Sequence, residues 1–338
     1  MNDPRFDVIG AGAWGTALAI MLAKDGSTVR LVARSPEKAA RLQADRINTE
    51  FLPGSPFPES LHAHSLTQYC EKGTVGKGSD APILVLAQPA QATRKALKTL
   101  ASQLVEGQTI VLTAKGLDRD SHALLSNIVQ AEAPQATCAV LSGPSFAHDV
   151  GKGLPTAVTL AANTLETADH LCELLRGQTF RPYASDDLIG VQLGGALKNV
   201  LAIAAGIVEG RALGESAKAA LISRGFAEMS RLAITLGAKP ETLNGLSGLG
   251  DLVLTCSTAG SRNFRFGVEL AKGRTATGLL ADGQPLAEGA KTAAAALALS
   301  TKHNVDMPIN STVASIIEDG LSVDDAIIAL LSRPLKRE

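Results

Sequence analysis

In its first half the chain sets short apolar runs between amphipathic stretches. The runs are Phe6 to Ile9, Thr28 to Ala33, Ile83 to Ala87, Thr109 to Thr113 and Thr137 to Leu141, with Ala157 to Ala161 and Thr179 to Tyr183 beyond them. Continuous rather than alternating apolarity is the mark of strands buried on both faces of a parallel sheet. Helical periodicity fills the intervals at Thr16 to Lys24, about Pro36 to Ile47, Ala90 to Leu104 and Ser121 to Glu132, and again between Ala161 and Thr179. Pro36 suits a first helical position, where no N–H partner is lost. The Pro/Gly-rich stretch Phe51 to Pro58 reads as a loop, and the nearby His62 and His64 as surface loop residues.

After Asp187 the strand signals nearly vanish. Ile189 to Val208, Ala217 to Leu236, Phe264 to Ala271, Gly289 to His303, Ser311 to Asp319 and Val323 to Leu331 all read as helices. The expected fold is α/β, a Rossmann-type doubly wound, mostly parallel sheet over residues 1–187. An all-helical substrate-binding domain is expected over 188–338. Such a pairing usually places substrate in a cleft between the domains.

The first strand runs into Gly10-Ala11-Gly12-Ala13-Trp14-Gly15, and a helix follows. Gly10 allows the tight turn, Gly12 leaves room for a pyrophosphate against the backbone, and Gly15 lets helix pack on strand. The helix N-terminus offers unpaired N–H groups and a positive dipole to the phosphates. The second strand ends at Arg34, followed by Ser35, where an NAD-selective site would carry a carboxylate for the ribose 2′-OH. A guanidinium and a hydroxyl suit a 2′-phosphate, so NADP(H) is the expected preference and NAD(H) the second cofactor.

Composition narrows the class. The 338 residues suffice for two cores, and a net charge of −1 supplies no basic field for nucleic acid or acidic lipid. Aromatic residues are 3% of the chain, too few for a base-stacking surface. Cys70, Cys138, Cys172 and Cys256 have no metal or disulfide spacing and read as buried thiols in a reducing compartment. No signal peptide precedes the first strand, and the apolar stretch Val191 to Val208 carries Lys198 and several glycines, a poor membrane span. A soluble cytoplasmic enzyme without membrane insertion or a metal is expected.

Several residues could carry chemistry. Lys198, in Gly194-Gly195-Ala-Leu-Lys-Asn-Val200, has small or apolar helical neighbours, which would desolvate its ammonium and make it a usable base. The alternative is a lysine snorkelling from an ordinary packed helix. Lys115 and the stretch Ser142-Gly143-Pro144-Ser145 each follow a strand, where ligands of open α/β sheets sit, or are plain loop residues. Asp251, after Gly248-Leu249-Gly250, could hydrogen-bond the Lys198 ammonium or a substrate hydroxyl, or cap the next helix. Ser261 fits an N-cap, and Arg262 and Asn263 beside it make a credible anion site or a solvated helix end. Glu288 could cap its helix or contact cofactor.

Together these segments resemble the soluble, bacterial-type NAD(P)-dependent glycerol-3-phosphate dehydrogenases, over essentially the whole length. The resemblance rests on Val8 to Ala19, Ala114-Lys-Gly-Leu117, Ser142 to Ala147, Gly190 to Val200, Gly248 to Cys256 and Ser261-Arg-Asn263. It implies reversible hydride transfer between a nicotinamide and C2 of sn-glycerol 3-phosphate, and a role in supplying that compound to phospholipid synthesis. It implies Lys198 as proton acceptor, acting with Lys115 and Asp251. The implied substrate site adds Gly143, Ser145, Ser261, Arg262 and Asn263. The implied cofactor contacts beyond the glycines are Ala13, Trp14, Arg34, Lys115 and Ala147, then Arg262, Leu286 and Glu288. A homodimer is the expected assembly. The chain departs from the family's usual pattern at Gln88-Pro89-Ala90, where a Val-Pro-Ser-like turn is commoner, and is weakly family-like from Phe266 to Glu288. Two other classes share these features: a β-hydroxyacid dehydrogenase, which would act on 3-hydroxy acids, and a non-catalytic NADP(H)-sensing protein, which would bind cofactor without turnover.

Overall fold

A computed structural model of the chain describes residues 5–24, 26–72, 81–281 and 287–334. It opens with β1 (Phe6–Ile9), α1 (Ala13–Lys24), β2 (Val29–Ala33), α2 (Pro36–Asp45), β3 (Leu61–Ser65), α3 (Leu66–Lys72) and β4 (Ile83–Leu86). There follow α4 (Thr93–Leu100), β5 (Thr109–Leu112), α5 (Leu125–Glu132), β6 (Thr137–Ser142), α6 (Ala147–Lys152), β7 (Thr156–Ala162), α7 (Leu165–Leu175) and β8 (Phe180–Ser185). The strands form one sheet in the order β3-β2-β1-β4-β5-β6-β7-β8. Every pairing is parallel except β6 with β7, where Ala139 lies opposite Ala162. Strand order reverses between β1 and β4, the switch point at whose carboxyl ends ligands of such sheets bind.

Two sequence expectations need correction. The histidine pair is not in a loop: His62 and His64 lie on β3, an edge strand whose Leu61, Ala63 and Ser65 face inward. Burial, the largest cause, and then nearby Lys72, Arg30 and His62 hold the His64 pKa below its ordinary value. Of the four free cysteines, Cys70 is half-buried rather than buried.

The buried charges of β1 and β2 are paired. Asp7 on β1 lies opposite Arg30 on β2, fully buried, and accepts from Arg30 Nε at 2.6 Å and from Tyr69 Oη at 2.9 Å. A buried carboxylate left without such donors would cost several kcal/mol, so the pair fixes β1–β2 register and tethers α3.

The remaining helices are α8 (Leu188–Gly210), α9 (Glu215–Thr235), α10 (Pro240–Asn244), α11 (Asp251–Cys256) and α12 (Arg262–Ala271). The last four are α13 (Ala276–Leu279), α14 (Glu288–Lys302), α15 (Pro308–Glu318) and α16 (Val323–Leu331). The chain divides into two compact units, Met1–Ala114 with Leu124–Val191, and Lys115–Ala123 with Gln192–Glu338. The sheet belongs to the first. The short segment Lys115–Ala123 groups with the helical unit although the sheet surrounds it in sequence.

Helix α8 is long and apolar enough to cross a membrane, but its most apolar window is wholly buried inside the protein. It is the core of the helical unit. Gly206 of α8 faces the backbone of Phe264, and Gly267 of α12 faces that of Ile203 on α8; a Cβ at either would overlap a carbonyl oxygen. Reciprocal glycines thus set the closeness of α8 and α12, and so where Asn263, at the start of α12, meets Asn199 of α8.

Candidate active site

The three fingerprint glycines each have a separate physical reason. Gly10 turns the chain at φ +118°, and a Cβ there would press on the backbone of Ala87. Gly15 packs α1 on that turn, leaving no room for a Cβ beside the Gly10 carbonyl. Gly12 meets nothing within 4 Å, so its missing side chain serves open space rather than packing. Ala13 and Trp14 begin α1, where the N–H groups are unpaired. Gln88 Nε2, on the residue following Ala87, is a buried donor without a partner among the described residues. An open glycine, a helix N-terminus and an orphaned donor at a switch point fit a dinucleotide pyrophosphate. Arg34 follows β2 and is exposed, and the Ser35 hydroxyl caps α2 by accepting from the N–H of Lys38 at 3.3 Å.

The carboxyl end of β6 gives Gly143 a structural duty. Its φ is +147°, and a Cβ there would stand 2.8 Å from the Cα of Val158 on β7. Ser145 Oγ donates to the Gly143 carbonyl at 2.9 Å, and Ala147 begins α6. These three residues belong to the sheet unit.

In the helical unit the structure brings three candidates together. Asp251, 1% exposed at the start of α11, accepts from Lys198 Nζ at Oδ1 (2.8 Å) and from Lys115 Nζ at Oδ2 (2.7 Å). Of the readings open for Asp251, the hydrogen bond to Lys198 is the one found. Lys198 Nζ donates also to Thr255 Oγ1 at 2.6 Å. Two of its three N–H donors are thereby taken, and the third is what it can offer an incoming oxygen. Lys198 is not snorkelling: it is 5% exposed in the middle of α8. Its pKa is lowered to about 8, by burial first and by Lys115, against the opposing pull of Asp251. Burial alone would raise the Asp251 pKa, but the two ammoniums outweigh it and hold the carboxyl below its ordinary value. Cys256 is pushed up to about 12 by burial and stays a neutral thiol beside this set. Two ammoniums around one carboxylate leave a surplus positive charge in a dry place, which an oxyanion would neutralise.

Two further residues, missed in the sequence, hold this set. Thr255 stands one helical turn beyond Asp251, and its hydroxyl lies 3.3 Å from Asp251 Oδ1. Asn199 Nδ2 donates to the Lys115 carbonyl at 2.9 Å, and its Oδ1 accepts from Asn263 Nδ2 at 2.9 Å. Asn263 Oδ1 in turn accepts from the Gly289 N–H at 3.0 Å. The Asn263 carboxamide is therefore engaged at both ends. The i to i+4 spacing of Asp251 and Thr255 was the readable signal for the first.

Ser261 caps α12 by accepting from the Phe264 N–H at 3.2 Å, and Arg262, its first residue, is exposed. Glu288 is the first residue of α14. Leu286 lies outside the described residues.

Comparison with known proteins agrees over nearly the whole chain. Residues 6–168 match the family model described as NAD-dependent glycerol-3-phosphate dehydrogenase N-terminus, and residues 187–328 the one described as its C-terminus. The chain is similar to a Parvibaculum lavamentivorans protein named glycerol-3-phosphate dehydrogenase (NAD(P)+), 47% identical over 99% of this chain and 98% of that one. A protein of the same name from Hyphomonas neptunium is 48% identical over 98% and 97%. Among solved structures, the glycerol-3-phosphate dehydrogenase of Coxiella burnetii superposes with a TM-score of 0.90 at 39% identity, covering 98% of this chain and 99% of that one.

Proposed function

The chain belongs to the NAD-dependent glycerol-3-phosphate dehydrogenase family, and on that premise we propose how its residues interconvert sn-glycerol 3-phosphate and dihydroxyacetone phosphate with NAD(P)(H). The observation that carries the reading is the buried Lys115–Asp251–Lys198 set. When bound, the nicotinamide cofactor supplies or receives the hydride at C2.

The glycine turn and the start of α1 hold the pyrophosphate, with Ala13 and Trp14 lining it. Arg34 meets the 2′-phosphate, so NADPH is preferred over NADH. Ala147, Arg262, Leu286 and Glu288 complete the cofactor contacts, and Gly143 and Ser145 the substrate contacts. Residues 188–338, with Lys115, form the substrate-binding part. Arg262 and the first-turn N–H groups of α12 hold the substrate phosphate, Asn263 through its main chain because its carboxamide is engaged.

In reduction, Lys198 donates a proton from Nζ to the C2 oxygen while Lys115 polarises that oxygen. In oxidation, neutral Lys198 takes the C2 hydroxyl proton. Asp251 and Thr255 keep Nζ aimed, and the surplus ammonium charge stabilises the developing alkoxide. The enzyme is assigned to the cytoplasm as a homodimer and supplies glycerol 3-phosphate for phospholipid synthesis; the buried state of α8 supports a soluble protein.

The test is loss of 340 nm absorbance of NADPH, then of NADH, when dihydroxyacetone phosphate is added to purified protein. Rapid oxidation, faster with NADPH, is expected. Turnover of 3-hydroxy acids instead would make it a β-hydroxyacid dehydrogenase, and binding without turnover a sensor.

A further inference from the structure

The chain after β2 carries more positive charge than Arg34 alone. Lys38, in the first turn of α2, is half-buried, and its Nζ sits 3.9 Å from the centroid of the Phe51 ring. The Glu50 carboxylate lies 3.5 Å from it and accepts from Arg41 at 3.1 Å. Burial is the main cause lowering the Lys38 pKa; Glu50 opposes it, and Arg41 and Arg34 add to it. Lys38 and Arg41 therefore share one carboxylate, and Arg34 is near enough to act on Lys38 as a third cation. Glu37, in the same turn, is exposed and is not among the groups that shift Lys38.

That arrangement has no evident stability reason. An exposed ion pair contributes about 0–1 kcal/mol, and like charges this close repel. Desolvating an ammonium against an aromatic face makes sense if it is being held ready for an anion. The surplus of about two charges matches a phosphomonoester dianion, and the place is the carboxyl end of β2, where the adenosine ribose lies in this fold.

We infer that Lys38 is a second reader of the cofactor 2′-phosphate, held beside Arg34 by the Phe51 ring, with Glu50 as the internal competitor that a bound phosphate displaces. The inference rests on the NADPH preference proposed above. It goes beyond it by adding a specificity-determining residue and a residue that weakens the preference. The Lys38 ammonium lies over the Phe51 ring, while the Ser35 hydroxyl is occupied in capping α2.

The experiment measures equilibrium dissociation constants of NADPH, NADH and adenosine 2′,5′-bisphosphate for the full-length wild type and for Lys38→Gln, Glu50→Gln and Arg34→Gln. Lys38→Gln should weaken NADPH and the bisphosphate about tenfold and change NADH by less than about twofold, as losing one charge-assisted contact would. Glu50→Gln should tighten NADPH severalfold, because the carboxylate no longer competes. If Lys38→Gln binds NADPH as the wild type does while Arg34→Gln loses the preference, the inference falls and the NADPH reading stands. If the wild type binds NADPH and NADH equally, both fall. A Lys38→Gln variant that weakens NADPH and NADH alike would assign Lys38 to helix structure and also overturn the inference.

Discussion

Replacing Asp251 with Asn keeps the shape of the side chain and removes its charge from between two ammoniums. At 2.8 Å from Lys198 Nζ and an effective dielectric of about 20, the lost attraction is about 6 kcal/mol. The amide oxygen still accepts a hydrogen bond, which restores about half of that. Lys198 then has a cheaper course than staying charged. With its pKa already at about 8, giving up its proton at pH 7 costs only ~1.4 kcal/mol. Asp251→Asn should therefore move the Lys198 pKa down by about 2 units. Because deprotonation is open to it, the stability lost through Lys198 at pH 7 should be about 1.4 kcal/mol, less than for a buried pair whose surviving partner cannot titrate. The assay is the pH profile of kcat/KM for dihydroxyacetone phosphate reduction, with urea unfolding beside it. In the proposed mechanism reduction needs the charged lysine, so its alkaline limb should shift acidward and, with about a tenth of the lysine still charged, turnover at pH 7 should fall about tenfold. Adding Lys198→Met should recover part of the lost stability, since it removes a buried amine left without its carboxylate partner. A profile with an unmoved alkaline limb would refute the electrostatic reasoning, and stability equal to wild type would refute the burial argument.

Other expectations follow from the same geometry. In the wild type, reduction should decline and oxidation rise as pH passes about 8, the Lys198 value, read from initial rates in both directions. Glu228 on α9 accepts from the N–H groups of Ile309 and Asn310 at the start of α15, yet burial pushes its pKa up to about 7. Its folded pKa is thus above its unfolded value of 4.5, so its contribution to stability is complete below pH 4.5 and is lost as pH rises through 7. Glu228→Gln should flatten that slope in urea midpoints measured from pH 5 to 8. Gly267→Ala should cost more than about 2 kcal/mol by urea unfolding, because the added methyl meets the Ile203 backbone of α8 and not a yielding side chain.

Much of the sheet unit was legible because buried parallel strands are continuous apolar runs. β3 was not: Leu61-His-Ala-His-Ser65 is an edge strand with histidines on its outer face, and its alternation is too short and polar to stand out after a proline-rich loop. In the helical unit, periodicity placed α8, α9 and α14 to α16 within a few residues, but the glycine crossing of α8 and α12 is a tertiary fact. Lys115, Lys198 and Asp251 each stood out by local context. Their convergence on one carboxylate could not be read, since Lys115 is joined in sequence to the sheet yet groups with the helices. Asn263 shows the converse: a residue type suited to binding a ligand is spent on Asn199 and Gly289. The proposed NADPH preference rests on Arg34, which is exposed.

The most direct test of the account is Lys198→Ala, with NADPH oxidation by dihydroxyacetone phosphate and the NADPH dissociation constant measured on the same preparation. The account predicts turnover lower by about a thousandfold or more, with cofactor affinity changed by less than about twofold, because Lys198 moves the proton and belongs to the helical unit rather than to the glycine turn. Turnover within about tenfold of wild type would remove Lys198 as the proton carrier and contradict the account.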